Sequence, residues 1–242
     1  MKHYGWNQIW RLFLIQTSRN RRAVDGLGFF HVISPALRYW ADDEAERRAI
    51  AKRHFAYFNA NPIVASFVVG AIDNLEERRR RGEAVTDRQI QMVKDTLSSV
   101  STTMGDIFFN VVLIPLGLTI GSIFAIYGSY IGLALFLALY NYYHIRIRID
   151  GYRKGLCLGE GVGREHVTRL FREQSLLGGC AAFAAGAFSA LVISRAFSRG
   201  GLRLGLWGVG LMVATIVLRR RFSLFWSVLI VFMASSLYML LW

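Results

Sequence analysis

The stretch TMGDIFFN, residues 103–110, sets a carboxylate, Asp106, directly before a run from Ile107 to Ile145 that holds no Asp, Glu, Lys or Arg. A bilayer core about 30 Å thick takes roughly 20 helical residues to cross. The run is therefore long enough for two passes, with Pro115, Gly117, Gly121, Gly128 and Gly132 available for breaks and close packing. Ser175–Ser194 and Phe222–Trp242 are each long enough for one more. Leu204–Leu218 is short, reaching about 22 Å at ~1.5 Å per residue, unless its flanking arginines snorkel or the segment re-enters. Hydrophobic residues make up 54% of 242 positions, and the mean hydropathy is +0.35. That is too apolar for an ordinary soluble domain. The expected fold is all-α, a polytopic integral membrane protein with N-terminal amphipathic or re-entrant helices and C-terminal transmembrane helices.

The net charge of +13 points to a membrane surface rather than to nucleic acid, because the arginines cluster beside apolar runs. Arg146, Arg148 and Arg153 follow the long run, Arg195, Arg199 and Arg203 the next, and Arg219 to Arg221 precede the last. Anionic headgroups and the positive-inside bias produce this pattern. The three clusters cannot all be cytoplasmic if every apolar run spans, so the topology stays open. The N-terminal MKHYGWNQIWRLFLIQTSRNRR lacks a small-residue cleavage site, and the mature chain is expected to be the whole chain. Cys157 and Cys180 match no metal spacing and read as free thiols.

The expected organisation is one domain over residues 1–242, with an amphipathic and re-entrant helical part to residue 105 and a transmembrane part from 106. In the first part, ADDEAERRAIAKRHFAYFNANP (41–62) reads as a helix whose acids Asp42, Asp43, Glu44 and Glu46 precede its bases, as the helix dipole favours. Asn61–Pro62 stops or redirects it. The next segment starts apolar from Ile63 to Ile72, too short to span, so it is buried in protein or dips into the membrane. A third helix starts near Thr86, a candidate N-cap, and leads toward Asp106.

No Walker loop, dinucleotide glycine pattern, Cys-x-x-Cys pair or nucleophile elbow is present, and the five histidines are scattered. Polar residues in membrane-like surroundings are the better lead, because an unpaired polar group in hydrocarbon costs several kcal/mol. Asp106 either caps the first membrane helix or faces a ligand at the end of an irregular, protein-buried segment. Gln16, Ser18 and Asn20, two residues apart, align only on an extended or broken segment. Asn59 and Asn61 flank Pro62, where they either cap a helix end or offer amides to sugar hydroxyls.

Taken in order, FLIQTSRN (13–20), DGLGFF (25–30), SPALR (34–38), KRHFAYFNANPIVA (52–65), LEERRRRGEAV (75–85), MGDIFF (104–109) and YNYYHIRIRIDGYRKG (140–155) resemble the IID subunit of the mannose/fructose/sorbose family of the bacterial sugar phosphotransferase system. The likeness runs from about Trp10 to Gly155 and continues weakly beyond. It implies a multi-pass subunit of the bacterial cytoplasmic membrane that forms with a IIC subunit the translocation path of a hexose. Soluble IIA and IIB proteins phosphorylate the sugar, and the IID subunit carries no phosphorylated residue or cofactor of its own. The implied partners are IIC, IIA, IIB, hexose and membrane lipid in a hetero-oligomer, without nucleic acid. Among the matched positions, Gln16, Asn20, His54, Asn59 and Asp106 have side chains suited to sugar hydroxyls or gating. No catalytic or metal-binding residue is implied. Where the family typically reads MGPLAGxGD, this chain has LSSVSTTMGD (97–106), with hydroxyl residues in place of the glycine-rich approach. The alternative is a diverged scaffold or regulatory subunit derived from the same family.

Overall fold

The computed structural model describes residues 3–218; the apolar segment expected at Phe222–Trp242 lies outside them. The chain divides into two units, Met1–Ala182 and Phe183–Trp242. Among the described residues regular structure is helical throughout, with only the isolated bridges Asn20↔Val24 and Val24↔Phe58 pairing extended backbone.

The first unit is built around α5 (Ser66–Arg80), whose residues Ser66 to Asp73, Leu75 and Glu76 are all buried. The apolar half that is too short to span is thus buried in protein. Its main neighbour is α8 (Ile131–Leu158), and glycine makes the close approach possible. A Cβ on Gly70 would lie 2.2 Å from the Tyr152 carbonyl oxygen, and one on Gly155 would lie 2.3 Å from that of Phe67. Small residues at a crossing let helix backbones touch. Asn74 Nδ2 then donates to the Leu156 carbonyl at 2.9 Å. α1 (His3–Arg11) is tied to the same pair by buried polar groups. Gln8 Nε2 donates to Asp73 Oδ1 at 3.1 Å, and the Tyr152 hydroxyl lies 2.7 Å from both Asp73 Oδ2 and Gln8 Oε1. α2 (Gly26–Ile33) and α3 (Leu37–Trp40) close the unit with Phe29, Val32, Ile33 and Trp40 in the core.

α4 (Glu44–His54) starts as its acid-first sequence requires. Asp43 accepts from the Glu46 N–H at 2.7 Å, while Glu46 reaches back to the Asp42 N–H at 3.1 Å. α6 (Asp87–Asp106) starts at Thr86, whose hydroxyl accepts from the Gln89 N–H at 3.2 Å.

α6 does not end where the charged residues end. It runs on through a π-helical turn, Ile107–Leu113, into α7 (Ile114–Ile126). The cause is Pro115, which has no N–H and whose ring would clash with the carbonyl four residues back, so the turn widens. The Ile114 N–H accordingly bonds five residues back to the Phe109 carbonyl. This corrects the expectation for Asp106, which lies inside a continuous helix and cannot cap one. It also corrects the irregular approach expected before it. Ser98, Thr102 and Thr103 bond back to the carbonyls of Lys94, Ser98 and Ser99, the way hydroxyl residues satisfy themselves inside a helix.

The run from Ile107 to Ile145 breaks at Tyr127–Tyr130, where Gly128 takes φ +71°. Its two arms pack with Gly117 against the Phe136 ring. Asp87–Ile126 and Thr168–Arg195 are the helical stretches long and apolar enough to cross a membrane among the described residues. In the first of these the apolar part begins after Asp106. α9 (Val162–Leu218) begins in the first unit, and its part in the second runs through Leu204–Leu218, leaving helical geometry at Gly201.

Candidate functional site

Beyond His54 the chain runs extended as Tyr57–Asn61, and backbone bonds fix it there. The Phe58 N–H donates to Ala23 at 3.2 Å, and the Asp25 N–H donates to Phe58 at 2.8 Å. Asn59 reaches α6 through its carbonyl and Asn61 through its side chain. Between this segment and α6 lies a groove of about 480 Å³, walled by Tyr57, Phe58 and Asn59 on one flank and by Gln91, Asp95, Ser98, Ser99, Thr102 and Thr103 on the other. The Thr102 hydroxyl lies 3.2 Å from the Asn59 carbonyl. Gln91 Nε2 donates to Asp95 Oδ1 at 2.8 Å, orienting that carboxylate.

Two residues on from Asn59, Asn61 sits on Gly105, where a Cβ would come within 2.2 Å of its Cγ. Asn61 Nδ2 donates to Asp106 Oδ1 at 3.0 Å, while its Oδ1 accepts from the Ile63 N–H at 3.1 Å. Glycine at 105 and the acid at 106 thus act on one partner: the first makes room for the amide and the second holds it.

The five residues singled out by sequence do not converge. Asn59 lines the groove, while exposed Asp106 lies three residues beyond the groove residue Thr103 on α6 and holds Asn61. Asn20 shapes a turn, its Oδ1 accepting from the N–H groups of Arg22 and Ala23 at 3.0 and 2.9 Å, ahead of Val24 at φ +51°. Exposed Gln16 lies beside Asp25, whose carboxyl is pushed up by burial against the opposing pull of Arg19 and Gln16.

His54 is fully buried, 2.7 Å from Glu76 Oε1. Burial pushes its imidazole down, with Glu76 pulling the other way. Arg53 joins Glu76 to Asp87. Behind the groove, buried Lys94 donates to the His54 carbonyl at 3.3 Å and lies 4.5 Å from the Phe29 ring centre. Burial lowers this ammonium to about 8.

Gln91, Asp95 and Thr102 were not chosen from sequence, and Asn61 was named beside Asn59 only as a cap or an amide donor, without its contact to Gly105 and Asp106. Gln91, Asp95 and Thr102 need the packing of α6 against residues 57–61, which no local pattern shows. Among the described residues, no three His, Cys, Asp or Glu groups come together as a metal site would require. The groove offers hydroxyls, amides, a carboxylate and aromatic edges, a set suited to hydrogen-bonding a neutral polyhydroxyl solute.

Among the described residues the regular structure is helical, with two helices long and apolar enough to cross a membrane and a polar groove near the start of one, an arrangement that matches a membrane protein. Residues 2–199 match the mannose/fructose/sorbose family IID component of the phosphotransferase system, and the chain belongs to that family. It is 32% identical over 171 residues to the mannose-specific EIID component of Escherichia coli K12, covering 68% of this chain and 60% of that one. It is 29% identical to the sorbose-specific EIID component of Klebsiella pneumoniae, covering 68% and 62%. The chain thus spans about three fifths of the length of these relatives. A solved structure described as a membrane protein superposes with a TM-score of 0.68 at 28% identity, over 78% of this chain and 70% of that one. A chain of the complex of mannose transporter ManYZ with microcin E492 shares the fold, with a TM-score of 0.58 at 24% identity over 97% and 94%.

Proposed function

We propose that this chain is the IID subunit of a phosphoenolpyruvate-dependent sugar phosphotransferase transporter. In this reading it crosses the bacterial cytoplasmic membrane more than once and pairs with a IIC membrane subunit to form a hexose path. Soluble IIA and IIB proteins then phosphorylate the sugar. Besides family membership, the observation that carries the reading is the polar groove beside Asn59, set where the charged part of α6 gives way to its apolar continuation.

In this account Asn59 and Asp106 face the sugar. Gln16, Asn20 and His54 hold the loop and core that keep residues 57–61 in place. The regular, hydroxyl-bonded α6 in place of a glycine-rich approach favours the second reading, a scaffold or regulatory subunit without transport. Uptake of labelled hexoses in cells carrying the chain with its partner subunits separates the two. Transport predicts that Asn59→Ala and Asp106→Asn each lower uptake while the IIC partner still co-purifies. A scaffold predicts unchanged uptake in both.

A further inference from the structure

The polar face of the α6–α7 helix does not end at Asp106. Asp95, Ser99 and Thr103 wall the groove or its rim, and Asp106 and Asn110 come next at steps of three and four residues; all five are exposed. Steps of three and four keep side chains on one face of a helix. A file of polar groups therefore leads out of the groove and into the run that carries no charged residue.

Asn110 lies inside the π turn, and the turn changes what its backbone offers. The ordinary α donor to its carbonyl is the Ile114 N–H, which bonds Phe109 instead. The donor five residues on is Pro115, which has no N–H. Asn110 thus presents a side-chain amide and its own released carbonyl at the first turn of the apolar stretch. In hydrocarbon each would cost several kcal/mol. Such groups persist at membrane depth where they meet protein or line a hydrated cavity, and π turns recur at functional sites.

We propose that Asn110 is a solute-binding station, where the side-chain amide and the released carbonyl together take the hydroxyls of a neutral polyol moving along the face that starts at the groove. A hydroxyl both donates and accepts, which fits one amide donor beside two carbonyl acceptors. The charged groups of the file are the carboxylates Asp95 and Asp106. Both disfavour an anionic solute along this face, which fits a neutral polyol. This inference rests on the transport reading.

The test uses the full chain with its IIA, IIB and IIC partners in cells, and measures the concentration for half-maximal uptake of labelled hexose and the co-purification of IIC. Asn110→Leu is expected to raise that concentration about tenfold, the equivalent of one to two hydrogen bonds, with IIC still bound. Pro115→Ala restores an N–H to the turn and is expected to raise it by a smaller factor. An unchanged half-saturation in Asn110→Leu overturns the proposal, and so does loss of IIC, which would make Asn110 a partner contact. Deletion of the chain is the separating control. If deletion abolishes uptake while Asn110→Leu is neutral, only this inference fails; if deletion has no effect, the transport reading fails with it.

Discussion

Replacing Gly105 with alanine should reverse the usual sign of that exchange. In an exposed helix interior Gly→Ala stabilises by about 1 kcal/mol. Here the new Cβ would stand 2.2 Å from Asn61 Cγ and 2.4 Å from Asn61 Cβ. Asn61 is only 8% exposed and is held at both ends, by Asp106 and by the Ile63 N–H. It has to leave α6 and break those bonds. Overpacking costs about 1–3 kcal/mol, and the bond to an exposed carboxylate is worth about 1 kcal/mol. Set against the propensity gain, the net loss is about 2 kcal/mol, or a fall of about 4–8 °C in Tm for a chain of this size. Thermal unfolding of the purified chain in one detergent, followed by circular dichroism, measures it. Gly121→Ala is the control, because a Cβ there meets nothing within 4 Å and should be neutral or stabilising. Adding Asn61→Gly to Gly105→Ala should cost little beyond Asn61→Gly alone, since the atoms the new Cβ would meet at 2.2 and 2.4 Å are then both gone. The reasoning is refuted if Gly105→Ala raises Tm as Gly121→Ala does.

Gly70→Ala drives a Cβ to 2.2 Å from the Tyr152 carbonyl oxygen and should cost about 1–3 kcal/mol by forcing α5 and α8 apart, read as a lower Tm. Tyr152→Phe removes the hydroxyl between Gln8 and Asp73. It should cost about 1–3 kcal/mol and expose α1 to faster tryptic cleavage; an unchanged cleavage rate counts against that anchor. His54 sets a pH dependence: burial holds its folded-state affinity for protons below that of the unfolded chain, so stability is full above the ordinary histidine value of 6.5 and falls as pH drops through it. The slope is at most about 1.4 kcal/mol per pH unit. Unfolding between pH 8 and pH 5.5 should show His54→Gln less pH-dependent than wild type, and parallel profiles would remove His54 as the cause.

Elements governed by local chemistry were legible in the sequence. The acid-first start of α4, the Thr86 cap and the division of Ile107–Ile145 into two helices come from side chains acting within a few residues of themselves. The continuity of α6 through Asp106 was not legible, because hydroxyl residues suit helix interiors and irregular segments alike. Their bonds to carbonyls four residues back decide the matter only once the helix exists. Pro115 was visible as a break, yet the widened turn it makes depends on both helices flanking it. In the site, the pairing of Asn61 with Gly105 and Asp106 spans more than forty residues of sequence. No period or motif encodes such a contact; it arises from α5 and α6 packing side by side. His54 illustrates the same limit, since nothing in KRHFAYF distinguishes a buried partner of Glu76 from a ligand-facing imidazole.

The most direct measurement of the central claim is uptake and phosphorylation of labelled mannose, glucose, fructose and sorbose in cells with IIA, IIB and IIC, compared with and without this chain. A IID role predicts that at least one of these sugars enters and appears as its phosphate only when the chain is present. Uptake of all four unchanged by removal of the chain would contradict it.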